Sequence, residues 1–315
     1  MTSAIAIHAL RKSFGTDVVL DGIDLDVAAG TVYALLGPNG AGKTTTVHIL
    51  STLLAPDSGE VRIAGHDVVR EPAAVRAAIG LTGQFSAVDG LLTGEENLQL
   101  MADLRHLGRS EGRRRVAELL ERFDLVDAAR KPLATYSGGM RRRLDLAMTL
   151  VARPQIVFLD EPTTGLDPRS RAEMWRVVRE LAAAGTTILL TTQYLDEADE
   201  LAGRIAVLDH GVIVAEGTPA ELKRLVPGGR IRLEFDDPTV LRAAAVALGS
   251  GEPDDETLAL EVASDGSLAS LRDVMDRLDR DGVEARSLTI HTPDLDDVFF
   301  ALTGHDVDAR EGVAS

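Results

Sequence analysis

Two alternating runs, Ile5 to Leu10 and Ile23-Asp24-Leu25-Asp26-Val27, predict half-buried antiparallel strands. Thr31-Val32-Tyr33-Ala34-Leu35-Leu36 follows as an apolar strand, and after a glycine-rich break Thr45-Thr46-Val47-His48-Ile49-Leu50 continues as a helix. Pro56-Asp57-Ser58-Gly59 reads as a turn, Glu60 to Ala64 as a short strand, and Ile79 to Gln84 as a strand edge that empties into a loop. From Thr93 to Phe123 the pattern is helical. Thr93-x-x-Glu96 fits a capping box there, and Ser110 suits a second helix start. Tyr136-Ser137-Gly138-Gly139-Met140 opens a further helix, whose Leu144, Ala147, Met148 and Val151 fall at i, i+3, i+4 and i+7 and predict its buried stripe. Arg141, Arg142 and Asp145 lie off that stripe and read as a solvated face.

Ile156-Val157-Phe158-Leu159 is continuously apolar, the signature of a strand covered on both faces, and Thr186 to Thr192 reads as another buried strand. Between them Asp167 caps and Pro168 starts a helix. Arg204 to Asp209 and Val212 to Glu216 predict two closing strands joined at His210-Gly211, with a last helix capped at Thr218. These elements predict a main domain over residues 4–227, with a helical part at about 93–152, ending at a Pro227-Gly228-Gly229 linker. Strand-like Ile231 to Phe235, Thr257 to Val262 and Ala285 to Ile290 alternate with helix-like Val240 to Leu248 and Ser267 to Leu278, which predicts a small α/β domain over 228–303. Its closing helix, Asp294 to Thr303, has an apolar face that either docks on its own domain or is offered to a partner. Residues 304–315 read as a frayed polar tail.

Composition narrows the class. No stretch approaches the roughly 18 apolar residues of a membrane helix, and Met1-Thr2-Ser3-Ala4-Ile5-Ala6 lacks the regions of a signal peptide. With no cysteine there is neither a disulfide framework nor a thiolate metal site, which fits a reducing compartment. The formal charge of −17 argues against a nucleic-acid binder, because counterion release needs clustered Lys and Arg. From residue 228 onward there are 20 Asp and Glu against 8 Lys and Arg, so most of the charge belongs to an acidic, solvated appendage.

The chemistry centres on Gly37-Pro38-Asn39-Gly40-Ala41-Gly42-Lys43-Thr44, which fits G-x-x-x-x-G-K-[ST] between a strand and a helix. Glycines let successive backbone N–H groups turn inward on one anion, Lys43 adds a point charge for outer phosphates, and Thr44 offers a hydroxyl to Mg²⁺. The strand ending at Leu159 delivers Asp160 and Glu161 to its carboxyl end. Adjacent carboxylates there suit a cation and a water that needs a base, or an N-cap pair without chemistry. Strand ends at Gly37, Asp160 and Gln193 converge where parallel sheets bind ligands. The Ser137-Gly138-Gly139 helix start is a second anion-binding device. Phe14, beside Gly15, is open to two readings: a ring that stacks on a purine, or a core or loop phenylalanine.

The set Gly37 to Thr44, Gln84, Tyr136 to Met140, Ile156 to Glu161, Gly165-Leu166-Asp167 and Gln193 resembles the nucleotide-binding subunit of ATP-binding-cassette (ABC) transporters over residues 4 to about 225. Tyr136 to Ala147, Gln193 to Asp199 and Leu295-Asp296-Asp297-Val298-Phe299 resemble the daunorubicin-resistance branch, which supplies ATPases to separate membrane exporters of drugs or lipids. The resemblance implies an α/β P-loop NTPase of ABC type with an antiparallel β subdomain and a helical subdomain, and a small C-terminal α/β domain. It also implies ATP and Mg²⁺ as cofactors. Phe14 matches the adenine-stacking aromatic, Gly37 to Thr44 with Thr45 the phosphate cradle, and Thr44, Gln84 and Asp160 the metal site. Glu161 matches the base that polarises water.

In this family Ser137, Gly138 and Gly139 contact the ATP of the opposite subunit and Asp167 crosses the interface, so two copies close head to tail over two nucleotides. A separate integral membrane permease is the implied partner, nucleic acid is not, and the implied location is the cytoplasmic face of the membrane. Two departures stand out: Met140 replaces a common glutamine, and Gln193 replaces a histidine switch. Glutamine donates a hydrogen bond but cannot become cationic. The expected function is therefore ATP hydrolysis that powers export of a drug such as an anthracycline, with a lipid or polyketide as the other cargo. The alternatives are an ATP-dependent pairing module with little hydrolysis, and a DNA-repair or chromosome-structure ATPase, which the short helical insert and acidic balance disfavour.

Overall fold

The computed structural model describes residues 3–83, 88–226, 229–249, 251, 253–264, 267–291 and 293–304. The chain divides into two compact units, Met1–Pro219 and Ala220–Ser315. The expected boundary at the Pro227-Gly228-Gly229 linker falls largely outside the described residues, as do Gln84 and the tail from residue 305.

In the first unit, strands β1 (Ser3–Phe14) and β2 (Asp17–Ala28) form a hairpin, followed by β3 (Val32–Leu36) and helix α1 (Lys43–Leu50). Both hairpin strands run further than the alternating cores predict, because shifts in their pairing register let the ladder continue to Phe14. Strands β4 (Ser58–Ile63) and β5 (His66–Asp67), helix α2 (Pro72–Ala78) and strand β6 (Ile79–Thr82) come next. The helical segment holds α3 (Gly94–Leu104), α4 (Arg109–Arg122) and α5 (Gly138–Thr149). Strand β7 (Ile156–Asp160), helix α6 (Pro168–Ala183), strand β8 (Thr187–Thr192), helix α7 (Leu195–Leu201) and strands β9 (Arg204–Asp209) and β10 (Val212–Gly217) follow, and the short helix α8 (Pro219–Lys223) begins at the last residue of this unit and runs into the second.

Two sheets organise this unit. One is antiparallel, β2-β1-β4-β5, and the other has six strands in the order β10-β9-β3-β8-β7-β6, parallel except for β10. A single apolar cluster spans both, with Ile5, Ile7, Leu10, Ile23 and Leu25 from the first sheet and Tyr33, Leu35, Phe158 and Leu189 from the second. Val47, Ile49 and Leu50 of α1 belong to the same cluster, so the helix that follows the glycine-rich loop is fixed by packing. β8 lies between β3 and β7, which places three consecutive carboxyl ends side by side.

The capping box is present at α3. Thr93 Oγ1 accepts from Glu96 N at 3.3 Å while Thr93 N donates to Glu96 Oε2 at 2.7 Å. At α4 the helix starts one residue before Ser110, capped by Gly108 without a side-chain bond. The second unit contains β11 (Gly229–Glu234), α9 (Pro238–Leu248), β12 (Pro253–Asp254), β13 (Ala259–Ser264), α10 (Leu268–Arg280), β14 (Ser287–His291) and α11 (Leu295–Thr303). Its sheet order, β12-β13-β11-β14, is that of a ferredoxin-like β-α-β-β-α-β unit. Ile231, Leu233, Leu260 and Val262 pack there with Leu241, Leu248, Val274 and Leu278 of the two helices.

Leu189 is fully buried in β8, so Leu189→Ala leaves a cavity between the sheets. The expected cost is about 2–5 kcal/mol, read as a lower urea midpoint for unfolding of the first unit.

Candidate active site

The glycine-rich loop leaves β3 with its first glycine pressed against another strand. A Cβ on Gly37 would stand 2.2 Å from the Leu208 carbonyl oxygen, so only glycine fits. Gly42 has φ +110° and a Cβ there would lie 2.7 Å from Leu20 Cδ2. Gly40 has room around it but φ +85°, so backbone freedom is the reason for that glycine. Asn39 and Gly40 are exposed at the rim, while Ala41, Gly42 and Lys43 are buried and Pro38, Thr44 and Thr45 half-buried. No side chain caps the start of α1 at Gly42, so its first N–H groups face the loop.

Lys43 is only 4% exposed. Its ammonium donates to Gly37 O at 2.8 Å and Pro38 O at 3.1 Å, and lies 3.4 Å from Glu161 Oε1. Burial pushes the Lys43 pKa down, and the carboxylates of Glu161 and Asp160 oppose that shift.

Asp160 ends β7 at 2% exposure. One of its oxygens accepts from Thr191 Oγ1 at 2.5 Å and from Thr44 Oγ1 at 3.3 Å. Glu161 turns the chain with φ +48°, and its N–H donates to both Thr191 O and Thr191 Oγ1 at 3.1 Å. Its Oε2 accepts from Thr164 Oγ1 at 3.3 Å. Lys43, Thr44, Asp160 and Glu161 therefore form one connected cluster. One buried ammonium against two buried carboxylates leaves it a positive charge short. The Thr44 hydroxyl and Asp160 carboxylate are hard oxygen donors side by side, which suits Mg²⁺. Gln193 stands half-buried one residue beyond β8, on the strand between the other two ends.

The remaining expected residues sit apart from this cluster in the chain. Phe14 is 51% exposed at the end of β1, with the Lys12 ammonium 5.5 Å from its ring centroid. That excludes the core reading and leaves a ring face at the surface. Ser137 caps α5 by accepting from Met140 N at 3.2 Å. A Cβ on Gly139 would lie 2.4 Å from Ser170 Oγ, whereas among the described residues nothing comes within 4 Å of one on Gly138. Asp167 accepts from Arg169 N, Ser170 N and Ser170 Oγ, and the Ser170 bonds hold its carboxyl below the usual range. Ser170 thus touches both the Asp167 loop and the Gly139 helix start.

The solvated face expected of α5 holds at Arg141, which is exposed, but not at Arg142 and Asp145. Arg142 and Asp145 are 9% and 3% exposed, and the guanidinium lies 3.5 Å from the Asp145 carboxylate. Arg142 Nε donates to Pro162 O at 2.9 Å, one terminal nitrogen to Gly83 O at 2.7 Å, and the other to Asp160 O and Glu161 O, both at 3.1 Å. The apolar stripe does not forbid this, because Leu146 and Leu150 are buried too and the helix is covered on more than one side. That spread of apolar positions was the available signal. Tyr136 has a similar anchoring role: its hydroxyl donates to Ala128 O at 2.8 Å, and a Cβ on Gly94 would stand 2.3 Å from it.

A profile of the family described as ABC transporter matches residues 20–164. The chain is 51% identical to the daunorubicin resistance ATP-binding protein DrrA3 of Streptomyces coeruleorubidus, over 98% of each chain. It is 50% identical to the daunorubicin/doxorubicin resistance ATP-binding protein DrrA of Streptomyces peucetius, over 98% of this chain and 95% of that one. Among solved structures, an ATP-binding subunit of an ABC transporter matches with a TM-score of 0.64 at 29% identity, covering 70% of this chain and 92% of that one. A dimeric ATP-binding cassette in a post-hydrolysis state with ADP and Pi matches with a TM-score of 0.62 at 26% identity, covering 68% and 98%.

Fold and site together define a P-loop ATPase cassette that binds and hydrolyses ATP. The chain belongs to the ATP-binding subunits of ABC transporters, in the branch of the daunorubicin-resistance proteins. Subunits of this kind pair and work with a membrane permease. Among the described residues no helix is long and apolar enough to cross a membrane.

Glu197 on α7 was not singled out by its sequence. It is fully buried and accepts from Trp175 Nε1 at 3.1 Å, and burial raises its pKa above the ordinary 4.5 against the pull of the Thr192 and Thr163 hydroxyls and Trp175. A carboxyl raised in this way supports folding below its unfolded value and loses that support as pH rises through the folded one. Glu197→Gln should therefore match the wild type near pH 4 and become the more stable protein as pH climbs, measured by denaturant midpoints across that range.

Proposed function

We propose that two copies of this chain bind two ATP molecules with Mg²⁺ between them and use hydrolysis to drive a separate membrane permease. The observation that carries this reading is the cluster in which Lys43, Thr44, Asp160 and Glu161 meet at adjacent strand ends. Residues 37–45 form the phosphate cradle, where inward N–H groups and the start of α1 favour an anion. Lys43 exchanges its carbonyl partners for phosphate oxygens, which stabilise its buried charge better than neutral oxygens do. Thr44 and Asp160, with Gln84, hold the metal. Mg²⁺, when bound, neutralises charge on the phosphate oxygens. Glu161 accepts the proton of the attacking water through a carboxylate that the ammonium and Thr164 orient.

Phe14 presents the ring face that adenine stacks on, in keeping with its exposure at the end of β1. Ser137, Gly138 and Gly139 serve the partner copy's nucleotide. Gly138 fits that role because no atom of the described residues comes within 4 Å of a Cβ placed there. Asp167 crosses the same interface. Gln193 donates a neutral hydrogen bond toward the outer phosphate, which stabilises developing charge less than an imidazolium does. For cargo, identity of about half along the whole length to daunorubicin-resistance proteins supports an anthracycline-type drug, chosen by the permease.

Glu161→Gln should bind MgATP, lose most phosphate release and accumulate as a dimer in size-exclusion chromatography with ATP. Turnover near wild type would take the base role away from it. Lys43→Ala should fail earlier, with equilibrium binding of a fluorescent ATP analogue weakened about 10-fold or more. With the permease in vesicles, doxorubicin should raise phosphate release. Stimulation by a lipid or polyketide instead would reassign the cargo.

A further inference from the structure

We propose that Arg142 is a positioning residue for hydrolysis, holding the backbone that carries Asp160 and Glu161 and tying it to the helix that begins at Ser137-Gly138-Gly139. The inference rests on Glu161 being the base. The guanidinium meets four carbonyls from two separate places in the chain: Asp160, Glu161 and Pro162 at the end of β7 and just beyond it, and Gly83 just after β6. Gly83 is the residue after β6, so one planar group spans the loop of the base and the carboxyl end of a neighbouring strand.

Three physical points favour a positioning role over simple surface packing. First, Glu161 has φ +48°, a conformation costly for a side chain with a Cβ, and it persists only if its surroundings hold it. Thr191 holds the N–H side of that residue and Arg142 its carbonyl side. Second, the guanidinium is 9% exposed, and Asp145, one turn along the same helix, lies 3.5 Å from it and balances its charge. Third, Arg142 lies in the second turn of α5, whose start is the surface proposed to meet the partner's nucleotide. A shift of that helix start is therefore transmitted to the peptide of the base through a rigid fork rather than through a flexible loop. Lysine cannot do this equally well: an ammonium has three donors and no plane, and four carbonyls converge here.

The test uses the full-length chain, MgATP and two variants, Arg142→Met and Arg142→Lys. In Arg142→Met, kcat for phosphate release should fall about 10²-fold while KM and the affinity for a fluorescent ATP analogue change by less than about 3-fold. Arg142→Lys should recover part of that loss. Combined with Glu161→Gln, Arg142→Met should lower turnover no further, because both changes disable the same step. If Arg142→Met does not fold, Arg142→Lys decides alone: a fall in kcat at unchanged KM supports positioning, and wild-type kcat overturns it. A parallel loss of kcat, nucleotide affinity and melting temperature in either variant also overturns it, since that is the mark of a structural role. Turnover surviving in Glu161→Gln removes the base on which the inference rests. Turnover lost there but kept in Arg142→Met removes the inference alone.

Discussion

Buried charge at the carboxyl edge of the parallel sheet is the constraint around which the first unit is built. A lysine and two acids lie there with little exposure, in a place where an unpaired ion costs several kcal/mol. Each is stabilised by a different part of the chain. Lys43 draws on carbonyls of its own loop, Asp160 on the Thr44 and Thr191 hydroxyls, and Glu161 on Thr164 and the ammonium. Removing Lys43 leaves two buried acids with no cationic partner in the cluster, so the arrangement depends on that one ammonium. The sheet order makes this possible by seating β8, with its threonines, between the strand of the loop and the strand of the acids.

The surrounding packing converts that local need into a rigid frame. Gly37 and Gly42 are excluded from carrying side chains by Leu208 and Leu20, which belong to β9 and β2. The glycine-rich loop is therefore shaped by contacts with both sheets. Ser170 does the same on the other side, touching the Gly139 helix start and bonding to Asp167. Two loops distant in sequence are held to one serine at the start of α6.

Much of this was legible in the amino-acid sequence, and the reasons are specific. The loop announces itself because glycines at fixed offsets next to Lys43 have few other uses between a strand and a helix. Ile156 to Leu159 reads as a doubly covered strand because no polar residue interrupts it, and the two acids then fall at its end without further information. The capping pair Thr93 and Glu96 and the Asp167-Pro168 start are equally local signals. What failed was Arg142 and Asp145. Charge is normally solvated, and a single apolar stripe invites the reading that everything off it faces water. Burial of Arg142 depends on carbonyls from residues 83 and 160–162, a tertiary fact with no trace in helical spacing. Phe14 stayed ambiguous for the same reason, since exposure at a strand end is set by where the ladder stops.

The contrast between Gly138 and Gly139 reaches beyond the single chain. Gly139 is demanded by its own fold, and a side chain there is a private defect, felt by the molecule that carries it. Among the described residues nothing comes within 4 Å of a Cβ on Gly138, so a side chain there meets no such steric block within its own fold. If copies work in pairs across this corner, such a chain would spoil healthy partners it joins, and the fault would act dominantly in a cell expressing both kinds.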